Sequence, residues 1–106
     1  MRIITGSARG MTIQVPPVTT RPTTDRVREA IFSSLGPCCD GAKVLDLFAG
    51  SGSLGLEALS RGAESAIFVE ESRKATAVIN KNLKKTKLED RGEVVTIKAA
   101  RFIQHQ

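Results

Sequence analysis

The chain has 106 residues, 41% hydrophobic and 25% charged, a composition that fits one modest globular core and leaves no room for a second domain of ordinary size. Sixteen Lys and Arg against eleven Asp and Glu give a net charge of +5, which suits a polyanionic partner, while four Phe with no Tyr or Trp argue against a platform that stacks single-stranded bases. No run of about 18 apolar residues is present to cross a membrane, and Met1-Arg2-Ile3-Ile4-Thr5-Gly6 does not open a signal peptide, so a soluble, cytoplasmic protein is expected.

Residues 1–23 read as an N-terminal arm. Arg2-Ile3-Ile4 and Met11-Thr12-Ile13-Gln14-Val15 are strand-like, Gly6 and Gly10 between them suggest a hairpin, and Pro16-Pro17 ends the second strand. Residues 24–106 read as a second unit. Thr24 or Asp25 can cap a helix whose Val27, Ala30, Ile31 and Leu35 are spaced to line one face, and Gly36-Pro37 stops it. Cys38 and Cys39 are adjacent and lack the paired spacing of a zinc site, so reduced thiols in a loop and no metal are expected.

From Ala42 onward strands and helices alternate. A strand over Lys43–Phe48 leads to a helix from Ser53 to about Arg61, with Gly62 as its left-handed terminator. A strand over Ser65–Glu70 follows, then a helix capped by Ser72 and running to about Lys87, with Ala75, Val78, Ile79 and Leu83 on one face. A turn at Asp90-Arg91-Gly92 precedes a strand over Glu93–Lys98, and Ala99–Gln106 looks like the opening of another helix. Such alternation is the mark of an α/β fold with a parallel sheet and crossover helices. Arg73, Lys74, Lys81, Lys84, Lys85, Lys87 and Arg91 are read as a solvated helix face. Arg2, Arg9, Arg21, Arg26 and Arg28 put further positive charge on the arm and the first helix.

Gly50-Ser51-Gly52-Ser53-Leu54-Gly55 is a G-x-G-x-x-G between a predicted strand and a predicted helix, the context in which that pattern cradles a nucleotide. Glu70 follows Gly50 by twenty residues and ends the next strand, where a carboxylate can accept from both ribose hydroxyls. Three ligand classes can be separated. A P-loop needs a lysine and a hydroxyl residue after its last glycine, and Gly55 is followed by Leu56-Glu57. A dinucleotide site aims a helix N-terminus at a pyrophosphate, which Asp46, four residues ahead of Gly50, would repel. S-adenosylmethionine carries a sulfonium and an ammonium and no phosphate, so an acid at that place suits it better than it suits NAD.

Val44-Leu45-Asp46-Leu47-Phe48-Ala49-Gly50-Ser51-Gly52-Ser53-Leu54-Gly55, together with Arg2-Ile3-Ile4-Thr5-Gly6, the segment from Thr20-Arg21-Pro22-Thr23-Thr24-Asp25 to Phe32, and Ser60-Arg61-Gly62-Ala63, resembles the bacterial 16S rRNA guanine-N2 methyltransferases. The resemblance runs from Met1 to at least Leu83, and its Thr-Arg-Pro-Thr segment is far more specific than the glycine loop. It implies a Rossmann-like S-adenosylmethionine-dependent methyltransferase fold, present as the first half of a doubly wound sheet with an N-terminal β-hairpin arm. It also implies methyl transfer to the exocyclic amine of a guanine in small-subunit rRNA. By the same resemblance, Asp46, Phe48, Ala49, Gly50, Ser51, Gly52 and Glu70 would contact the cofactor, and Arg9, Arg21 and Arg26 would hold RNA or shape the site. A guanine must leave its stack to enter a pocket, and arginines that grip the flanking phosphates serve that step. Pro22 fixes the backbone next to Arg21, and the helix that follows offers N–H groups to an anion.

Two departures from that pattern stand out. Amino-group methyltransferases of this type carry an Asn/Asp-Pro-Pro-Tyr/Phe motif after a fourth strand, whereas the consecutive prolines here are Pro16-Pro17, followed by Val18. His105 is no substitute, since it sits one residue from the end of the sequence. The acid or amide that commonly holds the adenine amine after the third strand is replaced by Lys98-Ala99-Ala100-Arg101, and Glu93 is expected ahead of that strand, at the wrong end of the sheet. The expectation is therefore the cofactor-binding N-terminal part of the enzyme, incomplete as it stands and inactive alone. Its first strand would have an unpaired apolar edge prone to self-association. A catalytically inactive S-adenosylmethionine- or RNA-binding module, or less favourably a small NAD-binding domain, are the competing readings.

Overall fold

The structure, a computed structural model, describes residues 1–15, 25–47 and 49–105. In chain order the elements are α1 (Asp25–Leu35), a 3-10 turn at Gly36–Cys39, β1 (Lys43–Asp46), α2 (Ser53–Ser60), β2 (Ser65–Glu70), α3 (Arg73–Lys85), a 3-10 turn at Glu89–Arg91, β3 (Gly92–Thr96) and α4 (Ala99–Gln104). The three strands form one parallel sheet in the order β1-β2-β3, with Asp46 opposite Phe68 and Glu70 opposite Thr96. Parallel neighbours need crossover connections, and α2 and α3 supply them. The carboxyl ends of the strands therefore come together at Asp46, Glu70 and Thr96.

Phe68, fully buried at the centre of β2, organises the core. A Cβ at Gly52 or Gly92 would lie 3.3 Å from its ring, and one at Gly55 would collide with it. Leu56, Leu59, Ile79 and Leu83 of α2 and α3 belong to the same buried cluster, as do Ile3, Ala8 and Ile13 of the arm. The helix ends follow their residues. Ser72 accepts a hydrogen bond from the Ala75 amide at 3.2 Å and so caps α3, while Gly62, at φ 106°, takes the left-handed position just past the end of α2.

The expected hairpin forms, but as a single antiparallel bridge, Arg2 with Thr12, rather than two strands. Ile3 N–H donates to Met11 O and Ile13 N–H to Met1 O, which turns both isoleucines inward. What fixes the arm is tertiary contact. Ser60 Oγ donates to Thr5 O at 2.6 Å and accepts from Ala8 N–H at 2.9 Å, and a Cβ at Gly6 would collide with the Ser60 carbonyl.

The buried face of α1 differs from the expected one. Val27, Ala30, Ile31 and Leu35 are exposed, and Arg28 and Phe32 are the buried side chains. Glu57, fully buried on α2, explains the rotation. Its Oε1 accepts the Ile4 amide at 2.8 Å and lies 3.7 Å from Arg28 Nη1, while its Oε2 accepts the Thr5 amide at 3.0 Å and Arg61 Nε at 2.9 Å. Arg28 Nη2 donates to Arg2 O, and the Arg61 guanidinium lies 4.7 Å from the Phe32 ring centroid. A buried carboxylate needs this company, because an uncompensated charge in the interior is costly.

Smaller differences follow from local pairing. β1 ends at Asp46 rather than Phe48, and β3 runs from Gly92 to Thr96, so Glu93 lies within the strand, exposed, instead of ahead of it. The two cysteines sit in the 3-10 turn after α1, not in an irregular loop; Cys38 is exposed and Cys39 is buried, and burial raises the Cys39 thiol pKa. Arg91 is not a solvated helix residue: it donates to Ala63 O at 2.5 Å and Leu59 O at 3.1 Å, tying the start of β3 to the end of α2.

Candidate cofactor site

From the end of β1 into the first turn of α2, Gly50, Gly52 and Gly55 do three different jobs. Gly50 has φ 55°, and among the described residues nothing lies within 4 Å of a Cβ placed there, so its backbone is open on that side of them. Gly52 has φ 81° and forms the N-cap of α2, where left-handed backbone favours glycine. Gly55 lets α2 lie directly on Phe68 of β2. Backbone that a ligand can approach, a tight turn and close helix–sheet packing are the requirements of a nucleotide-binding loop.

Two carboxylates frame this loop from the strand ends. Asp46, 9% exposed, accepts the Gly55 amide through Oδ2 at 3.2 Å. Burial holds its pKa above the usual carboxylate range; the Gly55 N–H opposes that shift and the nearby Glu70 charge adds to it. Glu70 is half-buried, and its Oε1 accepts the Gly50 amide at 3.0 Å while its Oε2 accepts the Ser72 amide at 3.0 Å. Asp46, Ala49, Gly50, Ser51, Gly52 and Glu70 thus converge outside the carboxyl ends of β1 and β2, where ligands bind in open α/β sheets.

The arrangement has a definite electrostatic preference. The N-terminal turn of α2, which would otherwise favour an anion, is already faced by the Asp46 carboxylate, and Glu70 adds a second negative charge. A pyrophosphate there would meet two acids, whereas a nucleoside carrying positive charge would relieve the cost of keeping Asp46 ionised. Open backbone at Gly50, a carboxylate for a cation at Asp46 and a carboxylate at the end of β2 for vicinal hydroxyls fit S-adenosylmethionine in each part.

Phe48 and Arg21 lie outside the described residues, as does the whole of segment 16–24. Arg9, on the hairpin, and Arg26, on α1, are both exposed. Arg28, counted with them among the positive charges of the arm and first helix, is buried beside Glu57. After β3 come the exposed Lys98, Ala100 and Arg101, with no acid or amide in place to receive an adenine amine. Among the described residues no group of His, Cys, Asp and Glu could hold a metal ion, and no helix is long and apolar enough to cross a membrane.

Sequence reasoning missed one residue of the site. Asn82, 1% exposed on α3, donates from Nδ2 to Ser51 O at 3.0 Å and to Gln14 O at 2.9 Å, and accepts the Gln14 amide through Oδ1 at 2.8 Å. Its position was a readable signal, since it falls between Ile79 and Leu83 on the apolar stripe of the helix, where a polar side chain must have buried partners.

Comparison with known proteins identifies the family and the fold. The Escherichia coli K12 Ribosomal RNA small subunit methyltransferase D is 51% identical over 84 residues, which span 78% of this chain and 42% of that protein. Its Haemophilus influenzae namesake is 40% identical over 106 residues, 98% of this chain and 55% of that protein. The chain therefore spans about half the length of these curated relatives. A solved hypothetical protein from Thermus thermophilus is 33% identical at a TM-score of 0.84, covering 99% of this chain and 60% of that one. The C-terminal domain of precorrin-6Y C5,15-methyltransferase from Rhodobacter capsulatus is 25% identical at a TM-score of 0.73, covering 83% and 47%. The α/β architecture is accordingly a partial Rossmann-like fold of the methyltransferase kind. With the family described as Conserved hypothetical protein 95 matching residues 1–106, and such identity to small-subunit rRNA methyltransferases, the chain belongs to this rRNA methyltransferase family and corresponds to its N-terminal part.

Proposed function

We propose that this chain is the cofactor-binding portion of an S-adenosylmethionine-dependent methyltransferase that modifies the exocyclic N2 of a guanine in small-subunit ribosomal RNA. The observation that carries the cofactor reading is the buried Asp46 carboxylate on the Gly55 amide, next to the open backbone of Gly50 and the Glu70 carboxylate. Bound S-adenosylmethionine supplies a methyl group made electrophilic by its sulfonium. The residues of the chain bind and orient it: Asp46 meets the positive end of the ligand, Gly50 and Ser51 present backbone, and Glu70 accepts from the ribose hydroxyls. Phe48 and Ala49, which precede the glycine turn in the sequence, are assigned to the same ligand.

The rRNA reading rests on the named relatives and on the charge of +5. Arg9, Arg21 and Arg26 are assigned to phosphates that flank the flipped guanine, a role in which they contribute position and salt-sensitive affinity rather than base specificity. No Asn/Asp-Pro-Pro-Tyr/Phe sequence occurs in these 106 residues, so the chain alone is assigned cofactor and RNA binding without methyl transfer. The sheet edge adds a further property, since among the described residues no strand pairs with the outer side of β1. β1 ends the strand order, and exposed Ile31, Leu35 and Leu45 line an apolar groove of about 160 Å³ beside it, which we assign to self-association of the isolated chain.

Calorimetric titration with S-adenosylmethionine and, separately, with NAD tests the cofactor reading; tighter binding of NAD overturns it. Methyl transfer to undermethylated small ribosomal subunits, assayed with this chain and with a full-length relative, tests the rest. Transfer by the relative alone is expected, and transfer by the 106-residue chain would show that the acceptor for the target amine lies within it.

A further inference from the structure

We infer that Asn82 is a positioning residue that couples the docking of the N-terminal arm to the conformation of the cofactor loop. This inference rests on the proposed binding of S-adenosylmethionine at that loop. Asn82 uses both ends of its amide. Towards Gln14 it behaves as a neighbouring strand would, accepting the N–H at 2.8 Å and donating to the C=O at 2.9 Å, and its second amide hydrogen goes to Ser51 O at 3.0 Å. The two carbonyls and one N–H leave a single way for the amide to face, so the same orientation that receives the arm also holds the loop.

The loop end of this bridge lies inside the glycine turn. The peptide between Ser51 and Gly52 is gripped from both sides, its C=O by Asn82 and its N–H by Ala49 O at 2.7 Å, between two glycines at φ 55° and 81°. A turn with so little intrinsic preference takes its geometry from such contacts. At the arm end, Gln14 follows Ile13, which is packed in the core, and the hairpin carries exposed Arg9. The loop half of the bridge is shielded from water, with Asn82 at 1% and Ser51 at 5% exposure, while Gln14 at the arm end is exposed; hydrogen bonds that share one buried amide strengthen one another. A ligand that fixes the loop therefore stabilises the docked arm, and anything that binds the docked arm raises affinity for the ligand by the same factor.

Amide hydrogen exchange in the 106-residue chain, with and without S-adenosylmethionine, tests this. In the unaltered chain the ligand is expected to slow exchange at the Ile3 and Ile13 amides by about fivefold or more, the lower end of ordinary coupling between sites. In Asn82→Ala the ligand should still protect the glycine loop but change the arm by less than about twofold. Ser60→Ala, which removes a different latch of the arm, should speed exchange there yet keep the response to ligand. If Asn82→Ala behaves like Ser60→Ala, Asn82 is merely structural and the inference is overturned. Asn82→Asp, which keeps the acceptor for Gln14 and removes both donors, serves where the alanine variant does not fold. Ligand that binds and protects the loop while leaving Ile3 and Ile13 unchanged in the unaltered chain overturns the coupling alone; failure of the ligand to bind overturns the cofactor reading with it.

Discussion

Asp46 and Gly55 are joined by a hydrogen bond of 3.2 Å that puts a carboxylate from the end of β1 on the first turn of α2. In the proposed assignment that turn favours a cation over a phosphate. Replacing Asp46 by Asn should weaken S-adenosylmethionine binding by about 30-fold or more, as expected when one partner of a buried charge pair is removed, and should narrow the preference over NAD. Parallel calorimetric titrations read both effects.

The same carboxylate sets a pH dependence. Burial raises the Asp46 pKa, so the folded chain holds this proton to higher pH than the unfolded chain does, and stability from this group falls as pH rises from the ordinary carboxylate value through the raised one. A bound cation favours the ionised form, so affinity for S-adenosylmethionine should rise over that interval and fall again as the solution is acidified through it. In Asp46→Asn that slope should be absent, which titrations across mildly acidic pH will show.

Glu70 ties Gly50 to Ser72 through its two oxygens, each at 3.0 Å. Glu70→Ala removes both ties and the acceptor proposed for the ribose, and should lower affinity by about tenfold or more, given about 1.5–3 kcal/mol for a hydrogen bond to a charged group. Glu70→Gln, which keeps one carbonyl acceptor, should fall between the two. Equal affinity in all three would remove Glu70 from the site.

Gly55 and Gly50 should respond differently to alanine. At Gly55 the added methyl meets the Phe68 ring, so the cost appears in stability, roughly 1–3 kcal/mol by analogy with overpacked cores. At Gly50 the described residues leave space for the methyl but the backbone is left-handed, which costs about 1–2 kcal/mol, and the methyl would project to the side proposed for the ligand. Urea unfolding should rank Gly55→Ala as the less stable variant, and ligand titration should rank Gly50→Ala as the poorer binder for its stability.

Self-association should depend on the apolar side of α1 and β1. Leu45, 49% exposed on the edge strand, and Ile31, 39% exposed above the groove, can each be replaced by Lys without disturbing the core. Sedimentation should show the double variant shifted towards monomer relative to the unaltered chain, since charge on an edge is an established deterrent to strand pairing. An unaltered chain that sediments as a monomer and melts cooperatively would remove this surface from consideration.

The alternation of strands and helices from Lys43 onward, the glycine turn and the acid at the end of β2 were legible because each depends on local period or fixed spacing. The inward side of α1 was not. Val27, Ile31 and Leu35 have the spacing of a core stripe, yet Arg28 and Phe32 point inward, because Glu57 lies on another helix and nothing near Arg28 in the sequence announces a buried acid for it to meet. Asn82 was overlooked for the same reason: its partners, Gln14 and Ser51, are separated from it by 68 and 31 positions. Polar side chains on apolar stripes are the places where long-range pairing overrides the pattern.

The contacts that seat the arm have a kinetic consequence. Ile4 meets Glu57 across 53 positions and Gln14 meets Asn82 across 68, so the arm is made well before the residues that seat it. At about 5–20 residues per second the hairpin waits roughly 3–14 s for Asn82 to be made. Contacts of such high sequence separation carry a loop-closure cost that is recovered late, which assigns the arm low φ-values in folding, with α2, α3 and β2 forming before it. Seating the hairpin that carries Arg9 thus follows the meeting of α2, α3 and β2.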